Sequence, residues 1–542
     1  MNLRHLFILG AVALTCSASC IRKAPEATDP AEVAVGERLF LETRFAQFFF
    51  ANSAGDPNAV LSVGDPVMDE TIGVTENLRG PFKGKSMNCR ACHLVDEHGA
   101  SPGGGVRTYA DFARRSPIPD RGDGKTVAPR NSPPLVNSAI ARSTALFFHF
   151  DGEFPTLDDL VRATFSGRNF GWLPTEKAAA IAHLASVIRG DDGTGDLAQD
   201  SGGLPYRILL AGVDGSIPAE LRLPPAFRID VTSVTDLQVF DAVAALVRAY
   251  VESLLFAQNS AGDFTGSPFD LFLSKNGLPR QPNVGESDLD YGRRLRGLVD
   301  ALGTPVWVTP ADGAFALHAQ DFVFGVKELA GLKIFLTEPS GSAPPSVGNC
   351  IVCHAPPKFT DFKFHNVGTA QSEYDEIHGA AKFATFAATI PLLSARSDAD
   401  LPASADNLLG QGKSLSVPSA ADDKLTDLGL WNVFANPHVP GPQPALNALF
   451  GVAGLPGDGD LAKTIALFKT PSVRDLSQSA PYFHTGQKDS IEDVIRHYIA
   501  FSDLARLGKV FNGAPELSDI VIQPGDVAAL AAFLRSLNED YQ

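Results

Sequence analysis

Two pentapeptides constrain this chain more than any other feature: Cys89-Arg90-Ala91-Cys92-His93 and Cys350-Ile351-Val352-Cys353-His354. In each, two thiols stand three residues apart and an imidazole follows at once. That spacing lets both sulfurs add across the vinyl groups of one haem while the histidine becomes the proximal iron ligand. Of the six cysteines, the four beyond the N-terminal leader all lie in these motifs, so none is left for a disulfide framework. The competing chemistry is zinc, which also takes paired Cys-x-x-Cys units. Zinc ribbons close their pairs within roughly 15 to 20 residues, whereas these two lie hundreds apart and each ends in histidine. The sequence therefore predicts two covalently bound c-type haems, attached at Cys89, Cys92, Cys350 and Cys353, with His93 and His354 on the irons.

The bulk of the chain is consistent with an ordinary folded carrier of such groups. It has 542 residues, 44% of them apolar, and a mean hydropathy of +0.02, which describes a globular protein of two to four domains with a sizeable core. A net charge of -17 argues against nucleic acid as a partner. A basic or locally complementary redox protein remains compatible with it. The N-terminus reads as an export signal over residues 1–19: Arg4 and His5, an apolar run from Leu6 to Leu14, then Ser17-Ala18-Ser19. Cleavage there leaves Cys20 first, a site for a lipid anchor. The expected localisation is periplasmic or exported, either freely soluble or as a membrane-anchored lipoprotein. No later segment reaches the roughly 18 to 20 uninterrupted apolar residues of a membrane helix.

The surroundings of the two motifs repeat. Gly36-Glu37-Arg38-Leu39-Phe40 precedes the first and Gly331-Leu332-Lys333-Ile334-Phe335 the second, each predicting a short helix that packs on a haem. Each half closes with an amphipathic helix, from Asp236 to Phe256 and from Asp526 to Leu537 after the breaker Pro524-Gly525. The expected fold is mainly α: a cytochrome c-like domain over 31–256, a linker or insertion over 257–326 with one helix near Tyr291 to Ala301, and a second cytochrome c-like domain over 327–542. Long loops join the helices, and the two domains pack around an interface. Gly124-Lys125-Thr126 mimics the end of a phosphate loop, but Pro119 occupies the place of its first glycine. Asp191, Asp192 and Asp196 miss the spacing of a calcium loop.

From the motifs outward the chain resembles the bacterial diheme cytochrome c peroxidase and MauG superfamily. The segments that carry this are Arg130-Asn131-Ser132-Pro133, Phe148-His149-Phe150-Asp151-Gly152, Phe364-His365-Asn366-Val367-Gly368, Phe468-Lys469-Thr470-Pro471-Ser472-Val473-Arg474 and Ala480-Pro481-Tyr482-Phe483-His484-Thr485-Gly486. The resemblance implies unequal haems. The one on His93 keeps an openable distal position for peroxide, and the one on His354 is six-coordinate and relays electrons. Peroxidases of this kind supply a methionine as the sixth ligand. Here the methionines are Met1, Met68 and Met87, all far upstream. Carrying the spacing from His484 forward puts Tyr498 in that place, as in MauG-like members, with His497 as the alternative. Adjacent helical residues point about 100° apart, so only one can face the iron. A phenolate ligand favours ferric iron and lowers the potential.

The same resemblance implies further roles. Tyr109 stands near the place of the displaceable distal histidine, Leu160 where a glutamine is common, and Phe150 where a tryptophan usually bridges the haems, with Trp172 or Trp431 as substitutes. Glu176 is the candidate carboxylate for proton transfer to peroxide; a first-turn glutamate behind a Thr175 cap is the structural alternative. A calcium ion between the haems would take the Asn131 side chain and the carbonyls of Ser479 and Pro481, oxygen donors suited to it, where a plain turn is the alternative. His149, His365 and His484 are expected to line haem crevices or meet propionates. The expected activity is a diheme oxidoreductase using hydrogen peroxide. Its reductant is a small redox protein (cytochrome c or cupredoxin), or its substrate is an organic or protein molecule oxidised in MauG-like fashion. A non-catalytic diheme electron carrier and a diheme oxygenase of the same superfamily are the alternatives.

Overall fold

The computed structural model describes residues 29–61, 87–89, 92–93, 115–116, 118–140, 142, 145–200, 202–316, 318–340 and 345–540. The expected signal segment, Cys20, Met68 and Tyr109 lie outside the described residues. The chain is mainly helical, and its one regular sheet among the described residues is a short antiparallel pair that sets Phe364 against Lys469 and His365 against Phe468.

The helices expected beside each motif are present and they cross in the same way. In the first half, Ala31–Phe40 packs along Asp236–Ser253. The latter starts with a capping box: Thr235 Oγ1 accepts from the Gln238 N–H, and Gln238 Oε1 accepts from the Thr235 N–H. Its buried Val239, Phe240, Val243, Leu246 and Val247 form one apolar stripe. In the second half, Val326–Phe335 packs on Val527–Arg535. Both crossings bring backbone against backbone at the glycine of the repeated pentapeptide. A Cβ on Gly36 would sit 2.2 Å from the Leu246 carbonyl oxygen, and one on Gly331 only 2.0 Å from that of Ala529. The repeated small residue is thus a requirement of helix contact.

Residues 257–326 do not behave as a spacer between these two pairs. They carry helices Pro268–Lys275 and Asp288–Asp300, whose Phe269, Phe272, Tyr291, Leu295 and Val299 join Leu332, Phe335 and Phe533 in the second core. Asp270 and Arg474, both buried, form a bidentate pair at 2.9 and 3.0 Å that fastens the stretch. The polar residues that suggest a linker serve as caps, as where Ser267 Oγ accepts from the Asp270 N–H. A third apolar cluster, around Tyr374, Phe383, Trp431, Phe434 and Phe468, takes in Phe147 of the first half and so joins the halves.

Candidate haem sites

The described residues of the two Cys-x-x-Cys-His motifs close on each other in the same way. The His93 N–H donates to the Cys89 carbonyl at 2.9 Å, and the His354 N–H to the Cys350 carbonyl at 2.8 Å. Each turn is tied to the end of its preceding helix: Asn88 Nδ2 donates to the Leu41 carbonyl, and the N–H groups of Gly348 and Asn349 to the carbonyls of Ile334 and Thr337. Helix contact therefore positions the thiols. The four cysteines are unpaired, and burial pushes Cys92 and Cys350 up to about 12, holding them as thiols.

Each imidazole is oriented by a backbone carbonyl. His354 Nδ1 donates to the Phe359 carbonyl at 3.1 Å, and His93 is hydrogen-bonded to the Pro133 carbonyl. A carbonyl only accepts, so the proton sits on Nδ1 of His354 and Nε2 is left as a ligand, the arrangement usual behind metal-bound histidine. Burial lowers both imidazoles, His93 to about 4, which keeps them neutral as ligation requires.

The second motif opens on a cavity of about 220 Å³, some fifteen-fold the space one buried water needs. Cys350, Cys353 and His354 stand on its wall with Phe335, Ile495, Tyr498, Leu530 and Leu534. Asn131, Pro134 and Phe150 reach it from the first half, and His365, Phe468, Lys469 and His484 complete it. Apolar walls, paired thiols and a carbonyl-oriented imidazole fit a haem. They do not fit zinc, since the thiols of the two motifs are not brought together.

Tyr498 and His497 diverge on their helix, Ile491–Arg506. Tyr498 lines the cavity and faces Cys350 and Cys353, and its hydroxyl meets no hydrogen-bond partner among the described residues. His497 turns away, donating from Nε2 to the Val367 carbonyl at 2.9 Å and stacking on Phe501. Asn131 and Pro481 are in contact, the Asn131 amide 2.5 Å from the Pro481 carbonyl, and Ser479 lines the same cavity. Phe150 lies on the wall, 6.3 Å from the His484 ring. Trp172 donates to the Phe45 carbonyl in the first core, Trp431 lies in the third cluster, and neither lines the cavity. Leu160 packs against the first core.

Glu176 ends the turn before helix Lys177–Gly190. Arg121 holds both its oxygens at 2.8 and 2.9 Å, and the Leu173 N–H donates to it as well. The Arg121 hydrogen bond is the main cause of a lowered carboxyl pKa. The backbone cap is therefore Glu176 itself, and Thr175 lies within the turn rather than before it.

A buried clamp that no sequence motif announces joins the halves. Arg130 pairs with Asp151 at 2.6 Å and, bidentately, with Asp427 at 2.6 and 2.8 Å. His484, stacked on Phe468 at 3.6 Å, sets its Nε2 4.0 Å from Asp427. The first two residues of this clamp stood inside the family-like segments; Asp427 carried no local signal.

No protein-family model and no curated protein matches the chain. Among solved structures it is similar to a MauG-like protein associated with microbial copper homeostasis, at 13% identity and a TM-score of 0.43, covering 96% of this chain and 93% of the other. It is also similar to the diheme peroxidase BthA from Burkholderia thailandensis E264, at 16% identity and a TM-score of 0.42, covering 94% and 86%. A tyrosine-to-methionine variant of that peroxidase aligns at 15% identity with a TM-score of 0.42, covering 94% and 87%. These structural neighbours are MauG-like and diheme peroxidase proteins.

Proposed function

We propose that the chain is a diheme c-type oxidoreductase that uses hydrogen peroxide, with the haem of His93 as the peroxide site and that of His354 as the electron-transfer site. The observation that carries this is the repeated turn: twice, two thiols and an oriented neutral imidazole hang from the end of a helix fixed by a glycine crossing. A haem bound there supplies an iron that exchanges electrons and reacts with peroxide. The chain holds and orients it, and the apolar wall of the second cavity excludes water.

Tyr498 is the sixth ligand of the second site in this reading. Its side chain faces the thiol pair with no hydrogen-bond partner among the described residues, whereas the Nε2 of His497 is committed to Val367. Glu176, held by Arg121, is the proposed carboxylate for the proton transfer to peroxide that accompanies O–O cleavage. Asn131, Ser479 and Pro481 are the proposed calcium donors between the haems. The electron donor is a small cytochrome c or cupredoxin, or the substrate is an organic or protein molecule oxidised at a distance. The proposed location is the periplasm, with Cys20 as a lipid attachment point.

The test is the ferric absorption spectrum of the exported holoprotein before and after peroxide. A high-spin component that reacts with peroxide, beside an unreactive low-spin one, is expected. Two low-spin haems inert to peroxide would make the protein an electron carrier, and a stable dioxygen adduct would make it an oxygenase.

A further inference from the structure

Two cations at the junction of the halves have no carboxylate partner among the described residues. Lys469, on the wall of the second cavity, donates from Nζ to the Phe147 carbonyl at 2.7 Å and forms no ion pair. Arg142 lies over the Phe362 ring at 4.0 Å, donates from Nη2 to the Ser138 carbonyl at 3.2 Å, and has a buried Nε without a partner. The two are close enough to repel each other. The carboxylate whose charge acts on Lys469, Asp151, is held by Arg130 at 2.6 Å.

Two like charges withdrawn from water without a counter-ion are costly. Burial and the Arg142 charge push the Lys469 ammonium down to about 7, and burial pushes Arg142 down to about 10. Arg130 and Arg474, by contrast, are each paired closely with a carboxylate. Lys469 stands on the wall of a cavity whose thiols and histidine fit a haem, a ligand that carries two carboxylates of its own, and the Arg142 charge acts on it.

We propose that Lys469 and Arg142 form a carboxylate-binding pair that takes the propionates of the haem on His354. Lys469 meets one from the cavity wall and Arg142 screens the edge beside Phe362. The pair sets the potential of that haem, because a cation beside a propionate offsets negative charge that otherwise stabilises ferric iron. This rests on the diheme reading above.

The test is a spectroelectrochemical titration of the holoprotein at fixed pH and low salt. Lys469→Gln is expected to shift the reduction equilibrium of one haem at least tenfold toward the ferric form, or 59 mV for a one-electron couple. Arg142→Gln is expected to shift the same haem in the same direction, and Lys469→Arg to leave it in place. Should Lys469→Gln fail to load haem, Arg142→Gln and Lys469→Arg carry the test. An unmoved potential in both neutralising variants, with two haems bound, overturns the proposal. So does a wild-type potential that moves on adding acetate, which would mark a site for a free anion. Fewer than two covalent haems in the wild-type protein, counted as the pyridine haemochrome, would instead sink the diheme reading.

Discussion

Gly331→Ala separates two physical effects of opposite sign. By helix propensity alone, alanine in the interior of Val326–Phe335 gains about 1 kcal/mol over glycine. The crossing reverses this. The new Cβ would lie 2.0 Å from the Ala529 carbonyl oxygen and 2.8 Å from the Phe533 Cβ. Ordinary contact begins at 3.4 Å, so the helices must part by 3.4 − 2.0 = 1.4 Å. A backbone carbonyl cannot rotate out of the way as a side chain would. Separation loosens Leu332, Phe335, Leu530 and Phe533, all fully buried or nearly so, and overpacking of this kind costs about 3 kcal/mol. The net loss is about 2 kcal/mol, or roughly 4–8 °C in Tm for a unit of this size. Scanning calorimetry of the holoprotein reads it directly, and Gly36→Ala should behave alike. Gly297→Ala is the control: it lies in helix Asp288–Asp300 with nothing within 4 Å of its would-be Cβ, so it should raise Tm slightly. An unchanged or raised Tm in Gly331→Ala would refute the reasoning.

Two further outcomes follow from the charged groups. Burial raises the Glu539 carboxyl to about 7 against the pull of Arg474 and the Ala257 N–H, and its Oε2 is buried without a partner. A folded-state pKa raised above the unfolded 4.5 means stability present below pH 4.5 is lost as pH rises to 7. Glu539→Gln should therefore raise Tm relative to wild type at pH 8 and change it little at pH 4.5, in paired melts; a larger gain at the acid end would contradict the sign. Glu176→Gln should slow the stopped-flow reaction of the holoprotein with peroxide by about 10²- to 10⁴-fold while leaving haem content unchanged. An unaltered rate would remove Glu176 from the proton path.

The helices beside the motifs were legible because their apolar spacing and the Pro524-Gly525 breaker are local signals. The glycines at positions 36 and 331 were visible as a repeat, but their reason was not, since the carbonyls they meet lie some 200 residues away in sequence. In residues 257–326 the expected helix near Tyr291 is present as Asp288–Asp300, but the packing of the stretch was hidden for a related reason. Their aspartates and serines cap helices and pair with Arg474, and an acidic, glycine-containing stretch reads as a linker unless that distant arginine is known. The cavity draws on segments near 131–150, 335–354, 468–498 and 514–534, so its outline could not be read from any one of them. Periodicity separates Tyr498 from His497 by about 100° but cannot say which faces inward. The Val367 carbonyl draws His497 away from the cavity by accepting the hydrogen bond of its ring N–H.

The central claim is that two chemically matched motifs carry unequal haems because Tyr498 closes one of them. Electron paramagnetic resonance of the ferric holoprotein, wild type beside Tyr498→Phe and His497→Gln, tests it most directly. The account predicts one low-spin signal that is lost or converted to high spin in Tyr498→Phe and persists in His497→Gln, with two haems retained throughout. A low-spin signal that survives Tyr498→Phe unchanged, or that vanishes in His497→Gln alone, would contradict it.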